Sequence, residues 1–255
     1  MTKVIRSATK QVINRDLVLR RAASSAARAR RRAFTLLELL VVVAMIALLI
    51  SIVSPTFRRV RMVARSSQCA DQMYKLGEAW TIYAWTGRGF LVGSNTGGSS
   101  YGTWVGPWGD MKNGLLYPYV GRPEIYQCPS STRVNPQYPI SYSMAGSMNG
   151  EGSRWTNIKG IPEPSRGLVL IEEDDWRGYN VNSWMLVGPN QWEDYVAGNH
   201  DQTDNLVFAD GHVENWKWEN PNTLSIPYHE AGFYMPDPGN QDLARLWKVW
   251  TCQQE

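Results

Sequence analysis

The side chains of this sequence able to do chemistry sit in four places. Glu38 stands inside an apolar run. His200 stands ten positions before an Asp210-Gly211 pair. Glu172, Glu173, Asp174 and Asp175 form an acidic run, with Asp194 further on. Three cysteines, Cys69, Cys128 and Cys252, are far apart. The acidic run offers clustered oxygens of the kind calcium takes at strand ends, with Asp174 and Asp175 as first ligands and Asp194 as an outside one. It lacks EF-hand spacing, and a solvated loop is the simpler reading. His200 with Asp201, Asp204 or Asp210 offers a metal set. A structural imidazole, hydrogen-bonded within a hairpin and fixing the loop before it, is again simpler. His212 and His229 are isolated. The cysteines form no CxxC pair, and their odd count admits one disulfide and a thiol, or three thiols. There is no G-x-S-x-G, P-loop or H-E-x-x-H, so no enzymatic activity is expected and no cofactor beyond calcium.

The elements that must carry these residues are unequal in charge. Ten of the 26 Lys and Arg, but only one of the 23 acids, lie in residues 1–33, leaving 16 basic against 22 acidic residues after them. The basic pI therefore belongs to a leader, and nucleic acid is not an expected partner. From Leu39 to Val53 there is no charge, and Ser51 is the only polar residue. With Phe34 to Leu37 the stretch reaches about 20 residues, enough to cross a bilayer as a helix. Arg30, Arg31 and Arg32 precede it, which places the N-terminus in the cytoplasm and the C-terminal side across the membrane. Ile52, Val53 and Pro55 make a poor site for a signal peptidase. A plain anchor accounts for the arginines and the length, but not for Glu38, a costly carboxylate one turn into the apolar helix.

An apolar stripe continues through Phe57, Val60, Val63 or Ala64, Ala70, Met73, Leu76 or Gly77, Trp80 and Tyr83, at three- and four-residue steps. One helix is predicted from about Phe34 to Trp85, bent at Pro55 and ended by Gly87 and Gly89. Beyond it the texture is that of strands and turns. Residues 93–114 read as a loop, Ile140–Met144 and Leu168–Ile171 as strands, and Asn205–Trp216 as a hairpin around Asp210-Gly211. A helical period returns only at 241–250. The expected fold is α+β: a long N-terminal helix, membrane half then amphipathic half, on an antiparallel sheet. The expected divisions are a leader (1–33), the helix (34–86), the sheet domain (87–218) and a C-terminal extension (219–255). In an oxidising compartment a Cys69–Cys128 disulfide would staple helix to domain, provided the two Cα atoms lie within about 7 Å.

The run Arg31-Arg32-Ala33-Phe34-Thr35-Leu36-Leu37-Glu38 resembles the N-terminal signature of type IV prepilins and type II secretion pseudopilins. Counted from Phe34, Glu38 is fifth and Pro55 twenty-second. Both match positions of that family, and the long helix on a sheet domain is its architecture. Ala33 replaces the usual glycine before the cut, and the leader is long. His200, nine residues, then Asp210-Gly211 resembles the H-x9-DG motif of a large pseudopilin-like family of Planctomycetes and related bacteria. The stretches Cys69–Gly77, Tyr126–Ser130 and Ile140–Asn149 also resemble that family, so the resemblance covers most of residues 31–218.

The resemblance implies a prepilin peptidase that cuts between Ala33 and Phe34 and methylates the new amine. It implies that Glu38 pairs with the Phe34 amine of a neighbouring pilin or pseudopilin subunit. The expected product is a pseudopilin-like subunit in the inner membrane, its C-terminal domain periplasmic or extracellular, assembling into a type II secretion or type IV pilus-like filament. The alternative is a membrane-anchored extracytoplasmic binding module for glycan or protein that does not assemble, with Trp104, Trp108, Trp155, Trp176, Trp184 and Trp192 as the platform in the glycan case.

Overall fold

Helix α1 (Leu36–Thr86) begins at a reciprocal cap. Thr35 Oγ1 accepts the Glu38 N–H at 3.2 Å, while Glu38 Oε2 accepts from the Thr35 N–H at 2.9 Å and from its hydroxyl at 2.8 Å. This is a T-x-x-E capping box, which satisfies N–H groups that the first helical turn leaves unpaired. The computed structural model describes residues 34–95, 102–131, 140–152, 154–173, 182–225 and 234–252, and the side chains of all of these but Pro55 and Trp108. The chain divides into two units, Met1–Ser54 and Pro55–Glu255.

In the first unit the described residues from Phe34 to Ser54 are all exposed. The helix is long and apolar enough to cross a membrane. Position 55 is helical, so the proline there does not end α1.

In the second unit α1 buries one face. Cys69, Met73, Leu76, Trp80 and Ala84 have almost no exposure, and their spacing of three and four residues puts them on one stripe. Phe57, Val60 and Val63, assigned to the same stripe by their spacing, are 64, 59 and 60 % exposed. Hydrogen bonds to the sheet are made at Ser66, whose carbonyl and hydroxyl accept the side-chain amides of Asn205 and Asn215, each at 3.3 Å. The helix ends where Gly87 N–H and Gly89 N–H donate to Tyr83 and Ala84 at 2.9 and 2.7 Å. Gly89 has φ +92°, a conformation that costs a residue bearing Cβ.

Among the described residues eight short strands follow: β1 (Tyr142–Ala145), β2 (Leu168–Glu172), β3 (Ser183–Trp184), β4 (Leu186–Gly188), β5 (Gln191–Trp192), β6 (Thr203–Phe208), β7 (Val213–Lys217) and β8 (Met235–Pro236). The main sheet runs β3-β1-β2-β6-β7, and a smaller one runs β4-β5-β8. Every pairing is antiparallel except β1 with β3. The fold is therefore α+β with a mixed sheet. The parallel exception is a two-residue edge strand with no periodicity of its own.

The described residues of this unit also hold two further α-helices, a single turn α2 (Tyr117–Val120) and α3 (Gln241–Thr251). Asn240 caps α3 by accepting from Asp242 and Leu243 N–H. Asp242 Oδ2 accepts from Glu219 N–H, Asn220 N–H and the Thr223 hydroxyl at 2.8–2.9 Å. Leu243, Leu246 and Trp250 join the core, and the Arg245 guanidinium lies 3.4 Å from the centre of the Trp216 ring. The stretch after 218 thus belongs to the same unit as the sheet.

α1 lies close on the sheet at Gly77, where a Cβ would lie 2.7 Å from Val207 Cγ1 on β6. Gly77→Val is expected to lower the unfolding free energy by about 1–3 kcal/mol, the usual cost of overpacking. Urea unfolding of the full chain in detergent, followed by tryptophan fluorescence, measures it.

Candidate functional sites

The first site is the start of α1. Phe34 is exposed, and Glu38 uses its carboxylate on Thr35. Ala33 lies outside the described residues. The local signal for the cap, Thr35-x-x-Glu38, was present in the sequence and was missed behind the apolar run.

The second site is a polar cluster sealed inside the sheet domain. Cys69 on α1 and Cys128, just after a 3-10 turn at Pro123–Tyr126, are joined by a disulfide with Cα atoms 5.4 Å apart. Neighbouring contacts hold the same two segments together. Gln72 Nε2 donates to the Glu124 carbonyl at 3.0 Å, and its Oε1 accepts from Tyr142 OH at 2.8 Å. Burial and then the nearby Glu172 carboxylate push the Tyr142 phenol well above its ordinary pKa, so it stays a donor. Cys252 is a buried free thiol.

His200 enters this cluster from a turn before β6. Asp201 and Gln202 adopt φ of +60 and +66°, and Thr203 Oγ1 donates to the His200 carbonyl at 2.8 Å. The ring is turned away from the hairpin. Its Nε2 lies 3.3 Å from Cys128 Sγ and 3.2 Å from Glu172 Oε2. The expected bond within the hairpin is not made by this imidazole, because the left-handed turn directs it inward. Asp201 and Asp210, weighed as its metal partners, stay outside the cluster, and Asp204 is committed elsewhere. Its Oδ2 accepts from Gly198 N–H and Trp218 Nε1 at 2.8 and 2.7 Å, and Oδ1 from Asn199 N–H at 3.3 Å. Burial and the Glu172 charge outweigh those bonds and hold Asp204 well above the usual carboxylate range.

The acidic run predicts a solvated loop for Glu172 and Glu173, but both are fully buried, Glu172 as the last residue of β2 and Glu173 just after it. Strand pairing places Tyr142 on β1 opposite Glu172. Asn205 on β6 donates its backbone N–H and its side-chain amide to Glu172 Oε1 at 3.2 and 2.6 Å. Ser143 donates its hydroxyl to Glu173. Asp174 and Asp175, the first calcium candidates, lie outside the described residues. Asp194 is buried, and its Oδ2 accepts the Met185 N–H at 2.7 Å.

The Asp210-Gly211 pair sits in the β6–β7 turn. Only Gly211 has positive φ, at +94°. Asp210 serves instead as an acceptor: Oδ1 takes the His212 N–H at 3.2 Å and contacts Nδ1 at 2.5 Å. The His212 ring stacks on Phe208, and its Nε2 meets Glu214 at 3.1 Å. Of the tryptophans weighed as a glycan platform, Trp104, Trp184 and Trp192 are wholly buried, and Trp155 packs against the core. Trp176 lies outside the described residues.

Residues 28–54 match the family model described as the Prokaryotic N-terminal methylation motif. The chain thus carries a prepilin-type processing motif on an apolar helix, and this motif supports a pilin-like or pseudopilin-type subunit. Neither the curated proteins nor the solved structures gave a match.

Two outcomes follow from this geometry. Burial alone would lower the His212 pKa, but Asp210 and Glu214 outweigh it and raise it above 6.5. The protonated ring then favours the fold, fully below pH 6.5, and that contribution is lost as pH rises through the raised value. An NMR titration should place the His212 midpoint above 6.5, and Asp210→Asn should move it down. Separately, peptide mapping without reductant should recover Cys69 linked to Cys128, with Cys252 alkylated after unfolding.

Proposed function

We propose that this chain is a pseudopilin-like subunit that works by assembly. A prepilin peptidase cuts it between Ala33 and Phe34 and methylates the Phe34 amine. The apolar part of α1 then holds it in the inner membrane with its N-terminus cytoplasmic and its C-terminal domain periplasmic or extracellular. Subunits pack through that part of α1 into a type II secretion or type IV pilus-like filament. Glu38 pairs with the Phe34 amine of a neighbour, and Pro55 belongs to the stretch through which the helices pack.

The observation that carries this reading is the match over residues 28–54. It spans Arg30–Arg32, the Ala33–Phe34 junction, Glu38 and most of the apolar run. The chemistry is consistent with it. A carboxylate in lipid needs a partner, and in the uncut chain Thr35 supplies two donors. Cleavage creates a cationic amine at Phe34, four positions from Glu38, that a neighbouring subunit can offer instead.

Mass spectrometry of the protein from a membrane fraction tests the reading. The expected N-terminal peptide begins at N-methylated Phe34. A stable chain with its leader intact would overturn it and favour the anchored module that does not assemble.

A further inference from the structure

One ligand atom each from Cys69, Cys128, Glu172 and His200 lie within 4.8 Å of one another, and all four residues are buried. We propose that, once the two cysteines are reduced, this cluster is a four-coordinate zinc site. The inference does not depend on assembly.

The donor set selects the metal class. Two thiolates, an imidazole and a carboxylate suit zinc, whereas calcium and magnesium take oxygen alone. Bonds of about 2.3 Å to sulfur and about 2.0–2.2 Å to nitrogen and oxygen put tetrahedral ligands about 3–4 Å apart. Two separations already fall in that range, 3.3 Å from Cys128 Sγ to His200 Nε2 and 3.2 Å from that nitrogen to Glu172 Oε2, and the two sulfurs part once their bond is reduced.

The surroundings are those of a ligand shell. Glu172 Oε2 receives no hydrogen bond, though the residue has no exposure. It faces His200 Nε2 while Asn205 holds its other oxygen with two donors, as an outer shell orients a metal-bound carboxylate. The Ser130 N–H points at Cys128 Sγ from 3.3 Å, a contact worth more to a thiolate than to a disulfide sulfur. A single imidazole nitrogen sits between a sulfur and a carboxylate oxygen. As a donor it serves one of them fully, whereas a cation among the four atoms satisfies all of them.

The disulfide and metal states exclude each other. A dithiol donor supplies two electrons and two protons, becoming a disulfide itself, and leaves Cys69 and Cys128 as thiols. Zinc binding then releases both thiol protons to solvent and takes His200 as neutral imidazole through Nε2.

Cobalt(II) tests the site, because tetrahedral thiolate coordination gives it visible ligand-field bands and near-ultraviolet sulfur charge-transfer bands. The full chain in detergent, reduced with tris(2-carboxyethyl)phosphine and freed of metal, is titrated anaerobically. One equivalent should produce both sets of bands, and zinc should bleach them. The oxidised chain and Cys69→Ser should show no charge-transfer band of that strength. His200→Asn and Glu172→Gln should weaken cobalt binding at least tenfold, and Cys252→Ser should change nothing. Circular dichroism reports folding throughout. A folded, reduced chain without bands would overturn the proposal. So would bands that survive in both His200→Asn and Glu172→Gln, or a fold lost on reduction that cobalt does not restore.

Discussion

A single helix has to satisfy two environments, and the rest of the molecule follows from how α1 does so. Over Leu36–Ser54 its exposed side chains are almost all apolar, which suits lipid, where main-chain groups find partners only within the helix itself. Over Cys69–Ala84 one stripe is buried in the core, while Tyr74 and Ile82 on other faces stay exposed. The transition is not abrupt, since Phe57, Val60 and Val63 remain exposed before the hydrogen bonds that Ser66 makes with the sheet. Gly77 lets β6 come close, and the Cys69–Cys128 bond fixes the helix to the loop beside it.

The sheet domain is unusual in what it seals in. Glu172, Glu173 and Asp204 are buried carboxylates, and such groups are expensive unless they are neutralised or well supplied with donors. The fold uses both remedies. Asp204 is driven towards its protonated form while taking three N–H donors. Glu172 remains next to His200, with Asn205 on its far oxygen. A cluster of this kind is poorly explained by stability alone, since a well-packed apolar core of the same volume is often at least as stable.

The H-x9-DG spacing gains a physical meaning from this arrangement. His200 and Asp210-Gly211 flank one strand, β6, and act at its opposite ends. The histidine enters the buried cluster, while the Asp-Gly pair closes the turn into β7 at the surface. The spacing therefore measures a strand with its two turns and does not define a single site.

The sequence by itself determined the features that depend on local periodicity and local charge. These are the apolar run behind three arginines, the long helix, the β2 core, the β6–β7 hairpin and the C-terminal helical stretch. Glu38 stood out because a carboxylate in an apolar run is anomalous without any knowledge of its neighbours. Tertiary structure decided where the helical stripe becomes buried, that β3 joins β1 in parallel, and that Glu172 lies inside. Above all it brought Cys69, Cys128, Glu172 and His200 together. Their contact comes from strand register, a left-handed turn and the docking of α1. Those are relations between distant segments, and no short-range pattern of residue types encodes them.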